Sequence, residues 1–186
     1  MRVVPNPTLV AILAGGPSMN ADVAASVRWL GAYVIVTNDT YLLYPDADML
    51  FAADAEWWQA HPEATAFGGE RVVCQDQRVE GATYYRPAFT GGGGNSALHA
   101  ARLAAASGAR TILLFGVDLV DGVYTHWHGE HGHGLHNPNP ATFKRARKAW
   151  AEFAAEPKDA VILNCNPHSG LACFPRVTLE EAACRT

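Results

Sequence analysis

Short apolar runs recur along the chain, each closed by small or polar residues. Leu9-Val10-Ala11-Ile12-Leu13 is continuous, the pattern of a strand covered on both faces. Gly15-Gly16-Pro17-Ser18 breaks that run, and Asn20 then caps a predicted helix over 21–30. Val23, Val27 and Leu30 share one face of that helix, and Gly31 ends it. Strands are predicted over 33–36, closed by Thr37-Asn38-Asp39, and over 49–52, closed by Asp54. A short helix over 56–60 stops at Pro62. From 65 to 86 the period changes, and Val72, Cys74, Val79, Tyr84 and Tyr85 suggest short extended pieces at a sheet edge. Over 97–108, Leu98, Ala101 and Ala105 fall at helical spacing. A strand over 111–115 is closed by Gly116-Val117-Asp118, and 124–139 is a long aperiodic loop. Phe143, Ala146, Trp150 and Phe153 form the apolar stripe of a helix over 141–155. A strand over 160–164 follows, then a helix over 178–184 whose Thr178 and Glu181 have capping-box spacing.

Strands alternating with helices predict one α/β Rossmann-like domain of three layers, with a mostly parallel central sheet. The 186 residues, 49% of them hydrophobic, suffice for one core. A net charge of −4 argues against nucleic acid as a partner, because a phosphate backbone demands a basic surface. Lys144, Arg145, Arg147 and Lys148 form one basic run, read as a solvated helix face. Cys74, Cys165, Cys173 and Cys184 show no CxxC spacing, which fits a reduced, cytoplasmic setting. The first apolar run is too short to span a membrane, and the turn and helix after it make it a first strand rather than a leader. Trp57 and Trp58, if exposed, offer a contact for a homo-oligomer.

In open α/β sheets ligands sit beyond the carboxyl ends of the strands. Polar and small residues gather there: Gly15, Gly16, Pro17 and Ser18; Asn38 and Asp39; Asp54; Asn95 and Ser96; Asp118; Asn164 and Asn166. Singly each reads as a turn residue; together they predict a polar crevice. The stretch from Gly91 through Gly94 to Asn95 and Ser96 leads into a helix. Free amides and the dipole at such a helix start favour an anion, so this stretch reads as a phosphate cradle. It matches neither GxGxxG after a strand nor a Walker loop.

The aperiodic loop holds His126, His128, His131, His133 and His136 with Glu130. Three readings are open. One histidine is a general base, with His136 or His131 the candidates. Alternatively His126, His128 and His131 hold a divalent metal (Zn²⁺, Mn²⁺ or Mg²⁺) if the loop folds back, with Trp127 packed inward. Or the loop is a polar lid whose histidines only form hydrogen bonds. His61, His99 and His168 stand alone and read as structural or surface residues.

The ordered segments Ala14-Gly15-Gly16-Pro17-Ser18, Thr37-Asn38-Asp39-Thr40-Tyr41, Gly94-Asn95-Ser96-Ala97 and Phe115-Gly116-Val117-Asp118 resemble motifs of the Campylobacter-type bacterial sialyltransferases. Leu163-Asn164-Cys165-Asn166-Pro167-His168-Ser169-Gly170-Leu171 is similar to that family's strand and loop before its last helix. The archaeal pterin pyrophosphokinase-like proteins share the frame. The segment His126-Trp127-His128-Gly129-Glu130-His131 looks closer to small phage-encoded proteins without settled function.

The resemblance implies a nucleotide, in the sialyltransferases a cytidine monophosphate carrying the sugar, bound by Gly15, Gly16, Pro17, Ser18, Asn38, Asp54, Gly94, Asn95, Ser96 and Asp118. An Asn of the family's first contact is replaced here by Gly15. Tyr124 is the one counterpart of the family's phosphate-neutralising tyrosine pair. The family's lid histidine corresponds to His136, with His131 second. The leading expectation is a nucleotide-dependent, sialyltransferase-like glycosyltransferase. The alternatives are a metal-dependent hydrolase or phosphotransferase using the histidine loop, and a degenerate phage protein that only binds a nucleotide or a host partner.

Overall fold

The computed structural model describes residues 8–74, 79–86, 95–122, 125–132 and 134–184. Gly91 to Gly94, Tyr124 and His133 therefore lie outside the described residues.

One sheet carries all the described strands: β1 (Leu9–Leu13), β2 (Tyr33–Thr37), β3 (Met49–Phe51), β4 (Glu70–Val73), β5 (Thr83–Tyr84), β6 (Thr111–Phe115) and β7 (Val161–Asn164). Their order is β5-β4-β3-β2-β1-β6-β7, and every pairing is parallel. The chain winds outward from β1 to β5, then crosses back to place β6 on the other side of β1. That reversal makes the gap between β1 and β6 the topological switch point. The pieces expected at a sheet edge are β4 and β5, and they form that edge.

Helices α1 (Ala21–Val27), α2 (Ala55–Ala60), α3 (Ser96–Ala106), α4 (Pro140–Ala155) and α5 (Leu179–Ala183) cover the sheet. Alternate residues of β1 point to opposite faces, as the two-residue period of a strand requires. Val10 and Ile12 pack with Leu98 and Ala101 of α3 and with Trp150 and Phe153 of α4. Ala11 and Leu13 pack with Val27 of α1, Trp57 and Trp58 of α2 and Ala182 of α5. The domain is thus an α/β sandwich of Rossmann-like winding, with its sheet between two apolar layers. No helix among the described residues is long and apolar enough to cross a membrane.

Several boundaries differ from the periodicity. The helix predicted over 21–30 is α-helical to Val27, and Arg28–Leu30 tightens to a 3₁₀ turn before Gly31, whose φ is +63°. Such turns also follow β2, over Asn38–Leu42, and α2, over Pro62–Ala66. Thr178 caps α5, and the reciprocal hydrogen bonds with Glu181 complete the capping box. Trp57 and Trp58 are not surface residues: each is at most 3% exposed, buried between α2 and the sheet. The inter-subunit contact expected of them is therefore excluded in this fold, and the exposed tryptophan is Trp29.

Candidate functional site at the strand switch point

Parallel register sets the level of the site. Leu13 lies beside Val36 and Phe115, and Thr37 lies beside Phe51. The residues that follow these strands therefore emerge together. A cavity of about 550 Å³ opens there, lined by Gly15, Gly16, Pro17, Asn38, Asp39, Asp54, Asn95, Ser96 and Asp118. His126, His128, His131 and His136 form its far wall with Asn137, Thr142 and Arg145. Most of the strand-end array expected from the sequence thus converges on one crevice. Ser18, Asn164 and Asn166 do not line it, and Gly94 lies outside the described residues.

Gly16 and Gly116 let the turns after β1 and β6 meet. The Gly16 amide donates to the Gly116 carbonyl at 2.9 Å, and the Ala14 amide to the Phe115 carbonyl at 2.8 Å. A Cβ on Gly16 would overlap the Asp118 carboxylate, and one on Gly116 would overlap the Ala14 carbonyl. Gly116 also holds φ at +67°, which favours glycine.

Asp118 binds the turns together. One carboxylate oxygen accepts from the Ser18 hydroxyl at 2.9 Å and the Ser18 amide at 3.3 Å. The other accepts from Asn166 Nδ2 at 2.6 Å. Burial raises the Asp118 carboxyl above its ordinary range, and the bonds from Ser18 and Asn166 oppose that rise. Three strand ends are joined by this one side chain, so its first duty is to hold the floor of the crevice.

The start of α3 is already occupied. Asn95 Oδ1 accepts from the amides of Ala97 and Leu98, at 3.0 and 3.2 Å. Ser96 Oγ accepts from the Ala53 amide at 3.1 Å and ties α3 to the end of β3. Asn38 differs, because its backbone holds φ at +50°, a conformation costly for a residue with a side chain. Its buried Oδ1 has no hydrogen-bond partner among the described residues. Asp54 sits near the α2 start, and burial raises its carboxyl, with Glu56 adding to the rise.

The histidine loop folds back onto β1, as the metal reading required. Gly15 O accepts from the Trp127 amide at 3.0 Å and faces His126 Nδ1 at 3.3 Å. A carbonyl can only accept, so Nδ1 carries the proton and Nε2 keeps its lone pair. His126 Nε2 is buried without a partner among the described residues, an arrangement that ordinarily costs ~1–3 kcal/mol. The rings of His126 and His128 stack at 5.1 Å, and His131 lies 4.3 Å and 5.0 Å from them. One ligand atom from each of the three lies within 4.8 Å of the others, the cluster among the described residues able to hold a metal ion. Burial pushes His126 down to about 4, and the neighbouring His131 and His128 add to this. Burial also lowers His131, with Asp39 opposing.

Asp39 is the residue whose role sequence reasoning missed. It was visible only as one turn residue after β2, yet it is 8% exposed and sits at the centre of the cluster. Its Oδ2 lies 3.6 Å from both His128 Nε2 and His131 Nδ1 and accepts from Trp57 Nε1 at 3.2 Å. Its Oδ1 lies 3.1 Å from His61 Nε2. His61 in turn stacks on Trp57 at 4.5 Å. His61, expected to stand alone, is thus a support of this cluster. Asn137 fixes His131 by accepting from its amide at 2.7 Å. Arg145, expected on a solvated face, borders the cavity, while Arg147 donates to the Leu119 carbonyl at 2.6 Å. His136 stands exposed on the cavity wall, apart from the triad contacts.

Fold and site together define a Rossmann-like α/β protein with a ligand crevice at its switch point. No family model, curated protein or solved structure matches the chain.

Proposed function

We propose that the crevice binds a nucleotide sugar and that the protein transfers the sugar to a hydroxyl acceptor. The observation that carries this reading is the buried Oδ1 of Asn38, without a partner among the described residues, in a cavity of about 550 Å³ at the switch point. That volume suits a nucleotide-sized ligand, and the switch point is where nucleotides sit in doubly wound sheets. The resemblance of the ordered motifs to those of the Campylobacter-type sialyltransferases supports a cytidine nucleotide as the first donor to assay.

In this reading Asn38 hydrogen-bonds the nucleoside. The glycine turns at Gly15 and Gly16 admit the ligand close to the backbone. His136 is the base. It takes the acceptor's hydroxyl proton as the acceptor oxygen bonds to the anomeric carbon and the bond from that carbon to the donor phosphate oxygen breaks. The nucleotide leaves with the electron pair. His131, enclosed by His126, His128 and Asp39, is less free to serve.

The test is release of nucleoside monophosphate from sugar nucleotides in the presence of hydroxyl acceptors. His136→Ala is expected to lower kcat by about 100-fold or more while leaving donor binding within a few-fold. Undiminished turnover in that variant removes His136 from the mechanism, and binding of no nucleotide or sugar nucleotide at millimolar concentration sinks the reading.

A further inference from the structure

We infer that His126, His128 and His131 form a binding site for one divalent transition-metal ion, of the Zn²⁺ class, with Asp39 as its charge partner. This site does not depend on the crevice taking a nucleotide.

Three imidazoles and a carboxylate are a donor set of borderline softness, suited to Zn²⁺ and its first-row neighbours rather than to Mg²⁺ or Ca²⁺. The nitrogen atoms already lie within 4.8 Å of one another. A tetrahedral zinc site places them about 3.3 Å apart, so each pair closes by at most about 1.5 Å, within reach of ring rotation on a loop. Asp39 Oδ2, 3.6 Å from two of the imidazoles, is near that edge length without any movement.

The surroundings fit as well. Ligating imidazoles ordinarily donate their second nitrogen to a carbonyl or carboxylate, which fixes the tautomer. His126 does this with the Gly15 carbonyl, at 3.3 Å, and its remaining nitrogen is buried without a partner among the described residues. An ion there supplies the missing partner. Behind Asp39, Trp57 and His61 hold the carboxylate at 3.2 and 3.1 Å, an outer shell that sets its direction. The ion would join the loop over 125–132 to the end of β2, where Asp39 stands.

The test uses tag-free full chain, stripped of metal and titrated with Zn²⁺ against a chromophoric chelator. The expected result is one Zn²⁺ per chain, and with Co²⁺ the visible absorption of a four-coordinate ion. His126→Gln and His128→Gln are each expected to weaken Zn²⁺ binding by about 100-fold, and His61→Gln by about tenfold through Asp39. Circular dichroism checks that each variant folds. A second measurement needs no variant: Zn²⁺ should shield the histidines of 125–132 in the wild type from carbethoxylation read by mass spectrometry. Absence of stoichiometric binding to the wild type overturns the site. So does binding that survives in the double His126→Gln, His128→Gln variant, or a 125–132 segment that Zn²⁺ leaves unshielded.

Discussion

At the scale of single residues the crevice depends on groups with no slack. Gly16 faces the Asp118 carboxylate and the Gly116 carbonyl so closely that a methyl group cannot be placed there. Gly16→Ala is therefore expected to destabilise the protein by about 2 kcal/mol or more, measured as a shift of the urea midpoint at constant slope. Asp118→Ala strands the buried Asn166 amide and loses the Ser18 bonds; a loss of ~2–3 kcal/mol is expected by the same measurement. Asn38 is the contrasting case. Asn38→Gly keeps the left-handed backbone available and removes only the side chain, so stability should change by well under ~1 kcal/mol while nucleotide binding weakens by about tenfold.

The histidines carry a pH dependence at the same scale. Burial lowers His99 and His131, and His126 reaches about 4, against an unfolded value near 6.5. Between those values the unfolded chain takes up protons that the folded chain refuses. Stability is therefore intact above about pH 6.5 and is lost as pH falls toward 4. Urea midpoints of the metal-free protein at stepped pH check this. Replacing His126 with Gln should flatten the fall, and an unchanged slope would contradict the burial assigned to its ring.

At the scale of elements, the apolar runs were decisive. β1 and β6 were legible residue for residue, because a continuous run of buried aliphatics between turn residues admits few other readings. The stripe of Phe143, Ala146, Trp150 and Phe153 also set the buried face of α4. Trp150→Ala, at a fully buried position, is expected to cost about 3–5 kcal/mol, read by thermal or denaturant unfolding. The helix α2 was predicted to within one residue, but its burial was less legible. Its two adjacent tryptophans gave no helical stripe, and their burial depends on the sheet face beneath them and on Asp39, which takes the indole N–H of Trp57. The strand-end array could be read because in-register parallel strands end on one level. The Asp39–His61 pairing could not, since a separation of 22 positions gives no local signal for it. Occupation of the first α3 amides by Asn95 was equally hidden: a good cap residue and a free anion site look alike in sequence.

At the scale of the molecule, one sheet reversal places the glycine turns, Asn38, the α3 start and the histidine loop around a single cavity. The histidine loop is held by Gly15 at one end and by α4, capped at Asn139, at the other. The proposed binding of a nucleotide in this crevice is tested by melting temperature against a panel of nucleotides and sugar nucleotides, in wild type and Asn38→Gly. A ligand at 100 times its Kd adds about 2.7 kcal/mol to stability, or roughly 5–10 °C for a chain of this size. Such a shift is expected for at least one nucleotide in the wild type, cut back in Asn38→Gly. No shift with any nucleotide at millimolar concentration, or an equal shift in both proteins, would contradict it.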